Sequence, residues 1–296
     1  MSASGIIDFH THYFPPEVAS EPVAFAQQQG EKHWRELVSP DGKPSLQGWA
    51  TTEHMLQQME EAGISRAVLQ GWYWEHPSTC AMQNRWYADL IARYPGSFIA
   101  FATIHPPSFR ETEEQLQFAV DHGFKGIGEL HPAVQDFGLR DRCWTRVVEF
   151  AIEHNLLISL HVTEPVGRPQ RPQGETNFRD IQWLVEEYPE MRLILAHWGG
   201  LVFTHELNPY ISKRWEHVYY DTAASPLLYD DRVFQLAMDA IGPEKFLFGS
   251  DYPLRLYPRT QEEPDFATFV SKVRTVVRDS DALDRLFRSN AEALLD

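Results

Sequence analysis

At 296 residues, 43% of them hydrophobic, the chain is long enough to enclose one large core and too apolar to stay unfolded. Its formal net charge of -16 excludes a general nucleic-acid binder, which needs a basic patch, and two cysteines, Cys80 and Cys143, are too few for a disulfide scaffold. No apolar run approaches the ~20 residues that span a bilayer, and the N-terminus lacks the basic and apolar regions of a signal peptide. A soluble cytoplasmic protein with no nucleic-acid or membrane partner is therefore expected.

In chain order, a first strand at 6–9 runs into His10 and His12. The stretch 13–48 shows no regular period and is long for a loop, so a lid or insertion is expected there. A helix at Thr52–Ala62 leads to a strand at 66–69, a helix at 80–94 to a strand at 98–103, and a helix at 111–122 to a strand at Gly126–Leu130. Gly123 suits the end of the helix before that fourth strand. A helix at 143–154 precedes a strand at 157–161. The irregular stretch 166–176, with Arg168 and Arg171, follows. Then come a helix at 178–188, strands at 193–197 and Val218–Asp221, a helix at 231–241, a strand at 246–249 and a closing helix at 281–295. Eight strands alternating with helices imply parallel βα units, and the count favours one closed (β/α)8 TIM barrel spanning residues 1–296.

Ligand-type residues stand where these strands end. In an extended strand residues two apart share a face, so His10 and His12 aim together. His161 alternates with Ser159 and Leu157, and His197 with Leu195 and Leu193. Asp251 follows Gly249 and Ser250, where the chain can turn. Alone, each of these histidines reads as a hydrogen-bonded core residue. Together, at matching strand ends, they point to a metal site at the mouth of a barrel. Imidazole with carboxylate suits zinc, manganese or iron, and zinc is the first expectation.

The order His-x-His, His, His, Asp resembles the metal-dependent amidohydrolase superfamily. The strings Ile-Asp-Phe-His-Thr-His, Leu-Ala-His-Trp-Gly-Gly and Phe-Gly-Ser-Asp-Tyr-Pro resemble its amidohydrolase-related branch, which includes aminocarboxymuconate semialdehyde decarboxylase and related decarboxylases. The closing Asn290-Ala291 and Leu294-Leu295 fit the same branch. The resemblance implies a distorted barrel with metal at the C-terminal mouth. It implies His10, His12, His161 and Asp251 as primary ligands, and His197 as ligand of a second metal or as catalytic histidine. It also implies Asp251 as the acid that activates water in hydrolases.

The fourth strand departs from the decarboxylase pattern. Lys125, Ile127, Glu129 and His131 would share one face, and Lys125 enters ~13 Å before Glu129 at ~3.3 Å per residue, too deep to reach the mouth. Glu129 resembles the bridging glutamate of the deoxyribonuclease-like hydrolase branch. Its plainer reading is a carboxylate that orients a ligand histidine. One or two metals per chain are thus expected. His131 and His105, each before a proline, are mouth candidates that also read as turn residues.

Trp72, Tyr73, Trp74, Trp198, Tyr252 and Arg255 follow strands on the same face. For each aromatic alone, loop packing is the commoner role. Trp72, Trp198, His131 and Arg255 are the substrate-binding candidates, with Arg255 the candidate for holding an anion. Of the other histidines, His33, His54, His76, His122, His154, His205 and His217 lie in helices or loops, and most are expected at the surface. The first functional reading is a hydrolase using a metal-activated water on a small amide, lactone or ester. The alternative is a nonoxidative decarboxylase of a small unsaturated or aromatic acid. A barrel that binds without turnover is the third reading and has no direct support. The substrate is expected to be a small anionic or aromatic molecule, and a homo-oligomer is compatible with the sequence.

Overall fold

The computed structural model describes residues 5–40, 44–164, 166 and 176–295. Eight parallel strands neighbour one another in sequence order: β1 (Ile6–Thr11), β2 (Ile64–Leu69), β3 (Phe98–Ala102), β4 (Gly126–Leu130), β5 (Leu157–Leu160), β6 (Leu193–Leu195), β7 (Val218–Asp221) and β8 (Phe246–Leu247). The two ends of the sheet meet through the backbone. Phe9 N–H donates to the Phe248 carbonyl at 2.7 Å, Asp251 N–H to His10 at 2.8 Å, and His12 N–H to Tyr252 at 2.6 Å. The result is the expected (β/α)8 barrel, nearly closed.

The helices between strands are held by apolar stripes. Thr52–Ala62 buries Met55, Met59 and Ala62, four and three residues apart. Thr51 accepts from His54 N–H at 3.2 Å at its start, and Gly63, at φ 76, closes its end. Arg142–Glu153 buries Trp144, Val147, Val148 and Ala151 with the same spacing. Among the described residues no helix is long and apolar enough to cross a membrane. Cys80 and Cys143 are both free thiols.

Ile7, Phe9, Val68, Phe101, Leu157, Ile194 and Leu247 pack together inside the barrel. Ala291, Leu294 and Leu295 of the last helix close its lower end. Leu193, Leu195, Ile127 and Leu130 lie instead in the outer layer between strands and helices. This parity decides which strand-end residues regular geometry can deliver to the mouth.

The stretch 13–48 is more regular than expected. It holds three short helices, Pro16–Ser20, Pro22–Gln29 and Lys32–Val38. Phe14, Val18, Phe25 and Trp34 pack on Trp72, Tyr73, Trp74 and Cys80, so the insertion is a cap docked on the loop after β2. Helices this short show no sequence period because each buries only one or two residues of its own. Arg168 and Arg171 lie outside the described residues.

Candidate metal centre

Only His161 reaches the mouth by plain alternation, four residues beyond inward-facing Leu157. The others depend on breaks in regular geometry. β1 slips register between Asp8 and Thr11, and β4 between Ile127 and Leu130. Ile127 therefore does not share a face with Glu129 as expected; the slip turns Glu129 inward while Ile127 stays in the outer layer. Lys125 is exposed, in keeping with its early entry into the strand. Leu193 and Leu195 also face outward, so alternation would carry His197 away from the mouth. Instead the chain turns left-handed after β6, with φ 58 at His197 and 59 at Trp198. That turn swings the imidazole inward. Asp251 sits in a similar bend, at φ 69.

Three histidines have their outer nitrogen committed. His10 Nδ1 donates to Asp221 Oδ2 at 2.8 Å, His12 Nδ1 to the Gln70 carbonyl at 3.0 Å, and His197 Nδ1 to the Ala223 carbonyl at 3.1 Å. These oxygens only accept, so each neutral ring must present a bare lone pair at Nε2. The Nε2 atoms of His10 and His12 face each other at 3.3 Å, fully buried. Lone pairs held that close, out of water, need a proton or a cation between them.

Asp251 Oδ1 lies 3.3 Å from His12 Nε2 and 3.7 Å from His10 Nε2. Glu129 Oε2 lies 3.8 and 3.7 Å from the same two atoms. Four donors around a tetrahedral ion at ~2.05 Å would stand ~3.3 Å apart, so this half fits a divalent cation. On the other side, Glu129 Oε1 is 2.9 Å from His161 Nδ1 and 3.2 Å from His197 Nε2, and those nitrogens are 3.1 Å apart. His10, His12 and Glu129 form one group able to hold a metal, and Glu129, His161 and His197 form another. The expected ligand set is thus divided. His161 stands with His197, across Glu129 from His10, His12 and Asp251.

Burial would lower His10 and His197, but the carboxylates around them prevail. Asp221, Glu129 and Asp251 raise His10 to about 10, and Glu129 with Asp251 raises His197 to about 9. Burial would likewise raise Glu129, yet His161 and His10 hold it well below the usual carboxylate range. Without a cation the cluster keeps its carboxylates ionised and balances them with imidazolium protons. Metal and protons therefore compete for the same atoms. Behind them Asp8, pushed up by burial to about 7, accepts the N–H groups of Ser250 at 3.0 Å and His10 at 3.2 Å.

Planar rings wall the cluster. Trp72 meets His12 edge-on at 5.3 Å and stacks on Tyr73 at 4.2 Å. His131 stacks on His161 at 4.3 Å and lies 5.1 Å from Tyr73. Trp72 and His131 are therefore at the mouth, as expected. His33 is the exception to the surface placement expected of most of these histidines. The helix Lys32–Val38 docks it over Trp72, ring centres 6.2 Å apart.

Trp198 is also corrected. The turn that brings His197 inward sends Trp198 outward, where it is fully buried against Phe234 and Phe246 and donates to Ser225 Oγ at 2.5 Å. Arg255 is not a free anion holder, because its guanidinium donates to the Ser45 carbonyl and ties the insertion to the β8 loop. Trp74 lies under the insertion and Tyr252 stacks on Phe266 at 4.0 Å. His105 bonds Ser108 Oγ at 2.9 Å and is a turn residue. The remaining six histidines are exposed or half-buried. Asp221, which the sequence reading did not single out, closes β7 with the same strand-end signal as the others.

The amidohydrolase family model matches residues 7–296. Among solved structures, 5-carboxyvanillate decarboxylase from Sphingomonas paucimobilis is similar at 16% identity and a TM-score of 0.71, over 98% of each chain. The 2,6-dihydroxybenzoate decarboxylase from Rhizobium is similar at 17% identity and 0.68, again over 98% of each. A 5-carboxyvanillate decarboxylase from Novosphingobium aromaticivorans, complexed with manganese and a nitrobenzoic acid, is similar at 15% identity and 0.69, over 98% of this chain and 95% of that one. At these identities the structures establish a shared fold. The family match runs over nearly the whole length, and the chain belongs to the amidohydrolase family.

Proposed function

We propose that the chain is a metal-dependent enzyme and that its reaction is nonoxidative decarboxylation of a small aromatic acid. The carrying observation is the wall of planar rings, Trp72, Tyr73, His131 and His33, beside a buried cluster of imidazoles and carboxylates. A flat ring can stack there while its carboxylate meets the cluster. The similar structures add support, since they include decarboxylases of substituted benzoates.

His10, His12, Asp251 and Glu129 would hold a divalent cation, which supplies a Lewis acid for the substrate carboxylate. Zinc and manganese both suit these donors. His197 carries the working proton. Its Nδ1 is committed to Ala223, and its Nε2 lies 3.2 Å from Glu129 Oε1. In decarboxylation the ring carbon takes that proton, the bond to the carboxylate breaks with its electron pair returning to the ring, and carbon dioxide leaves. His197 then regains a proton from water.

A second reading, hydrolysis of a small amide, lactone or ester, is favoured by one observation: Glu129 offers one oxygen to each half of the cluster. With both halves occupied, Asp251 would accept the proton of the attacking water and pass it to the leaving group. The two readings separate in one screen of the metal-loaded protein. Carbon dioxide released from substituted benzoates supports the first. Acid released from lactones, esters or amides, with no carbon dioxide, replaces it with the second. Turnover of neither class overturns both.

A further inference from the structure

The helix Pro77–Arg93, which follows β2, carries polar side chains on its inner face. Gln83 and Tyr87 stand one helical turn apart on that face, and both are fully buried. Glutamine is mostly an exposed residue, and buried polar groups are nearly always satisfied, so the partners of this pair show what holds it there.

The Tyr87 hydroxyl uses every hydrogen-bonding position it has. It donates to the Gln70 carbonyl at 2.8 Å, and it accepts from Gln83 Nε2 at 3.0 Å and from the Tyr13 backbone N–H at 3.3 Å. Two of these partners bear on His12. The Gln70 carbonyl also accepts from His12 Nδ1 at 3.0 Å, and the Tyr13 N–H belongs to the peptide that follows His12. One oxygen therefore holds the His12 ring through its acceptor and the His12 backbone through the next peptide. Gln70 is itself tied to β1, its N–H donating to the Thr11 carbonyl at 2.7 Å and its Nε2 to the Phe9 carbonyl at 3.0 Å.

Gln83 carries the relay to the ring wall. Its Oε1 accepts the Trp72 N–H at 2.8 Å and the Trp74 Nε1–H at 2.7 Å. The Trp72 ring in turn meets the His12 ring edge-on at 5.3 Å. We infer that Tyr87 and Gln83 are positioning residues for the metal centre: Tyr87 aims the His12 ring, and Gln83 directs the Tyr87 hydroxyl while fixing Trp72 beside it. With the Gln83 amide and the Tyr13 N–H on its two lone pairs, the hydroxyl has the Gln70 carbonyl left for its one proton. This inference rests on the reading of the cluster as a metal centre.

The test is the zinc affinity of the full chain by competition with a chelator, measured beside the Tm of the metal-free protein. Tyr87→Phe keeps the ring, removes the hydroxyl and should hold zinc roughly tenfold more weakly. Gln83→Met should weaken zinc binding in the same direction and by less. Leu90→Ala, buried on the same helix outside the relay, should lower the Tm and leave zinc affinity unchanged. Unchanged affinity in Tyr87→Phe, whatever its Tm, overturns the positioning role, and an equal loss in Leu90→Ala does the same by showing that any loosening of the helix suffices. In the unmodified protein the amide protons of Tyr13 and Trp72, which bond to this pair, should exchange as slowly as those of the strands. Rapid exchange of either overturns the relay, a result that stands even where the variants fail to fold. Failure of the unmodified protein to bind zinc removes the metal centre and the inference together, whereas normal binding there with an unaffected Tyr87→Phe removes the inference alone.

Discussion

Asp221 links the two halves of the cluster through one carboxylate. Oδ2 accepts from His10 Nδ1 at 2.8 Å, and Oδ1 accepts the N–H groups of His197 at 2.9 Å and Ala223 at 3.0 Å. One oxygen sets the His10 ring, and the other fixes the turn that presents His197. Asp221→Asn puts an amide against His10 and releases the tautomer. Metal affinity should fall roughly 10- to 100-fold with the fold intact, read by competition with a chelator. Unchanged affinity would remove the positioning role. The protons on the cluster make a second expectation. His10 and His197 have folded values of about 10 and about 9, above the ~6.5 of an unfolded histidine. In the metal-free protein their stabilisation is complete below ~6.5 and is lost as pH rises through 9 to 10. The Tm of metal-free protein should therefore fall between pH 7 and 10, with the metal-loaded protein less affected. Loading metal near pH 7.5 should release protons into a weakly buffered indicator solution. A flat Tm profile or loading without proton release would contradict the charge arrangement.

At the scale of the element, the site is built where strands stop being regular. Gly128 shows the constraint on β4. It sits at φ 130, and a Cβ there would meet the Ser159 carbonyl oxygen at 2.3 Å. Gly128→Ala must push β4 from β5 and carry Glu129 with it. Soluble Gly128→Ala protein should hold markedly less metal and melt at a lower temperature, by elemental analysis and a thermal scan. Normal metal content would show that the close approach does not set Glu129. The same irregularity explains what could be read in advance. His161 follows alternation and is legible from period two alone. His197 and Asp251 enter left-handed bends, so their direction was legible only through the family strings around them, whereas Glu129, which follows a register slip, was singled out by its place on the fourth strand and its likeness to a bridging glutamate. The outward path of Trp198 follows from the same bend and carried no separate signal. His33 was hidden because its helix is too short to show a period, and its place depends on docking to Glu75 and Trp72.

Across the whole molecule the barrel is a rigid holder for one end. Its interior is apolar from Ile7 and Phe9 down to Leu294 and Leu295 of the last helix, with Arg192 Nη1 donating to the Leu294 carbonyl at 3.1 Å. Leu294→Ala should cost about 2–4 kcal/mol of stability by denaturant unfolding while metal content per folded chain stays normal. A loss of metal without loss of stability would mean that the two ends are not independent. Eight apolar runs with helical spacing between them made this architecture legible from the sequence. The cap was legible only as a stretch that fitted no element. The cap matters because it turns an open mouth into a walled one, with His33 and Trp72 facing the cluster.

The proposed reaction depends on a divalent metal held by the buried cluster. The most direct measurement is metal per chain by elemental analysis, after gentle purification and after reloading with zinc or manganese. About one firmly held ion per chain is expected, in the half formed by His10, His12, Asp251 and Glu129. About two would support Glu129 as a bridge and move hydrolysis ahead of decarboxylation. No metal retained after reloading would overturn the cluster as a metal centre.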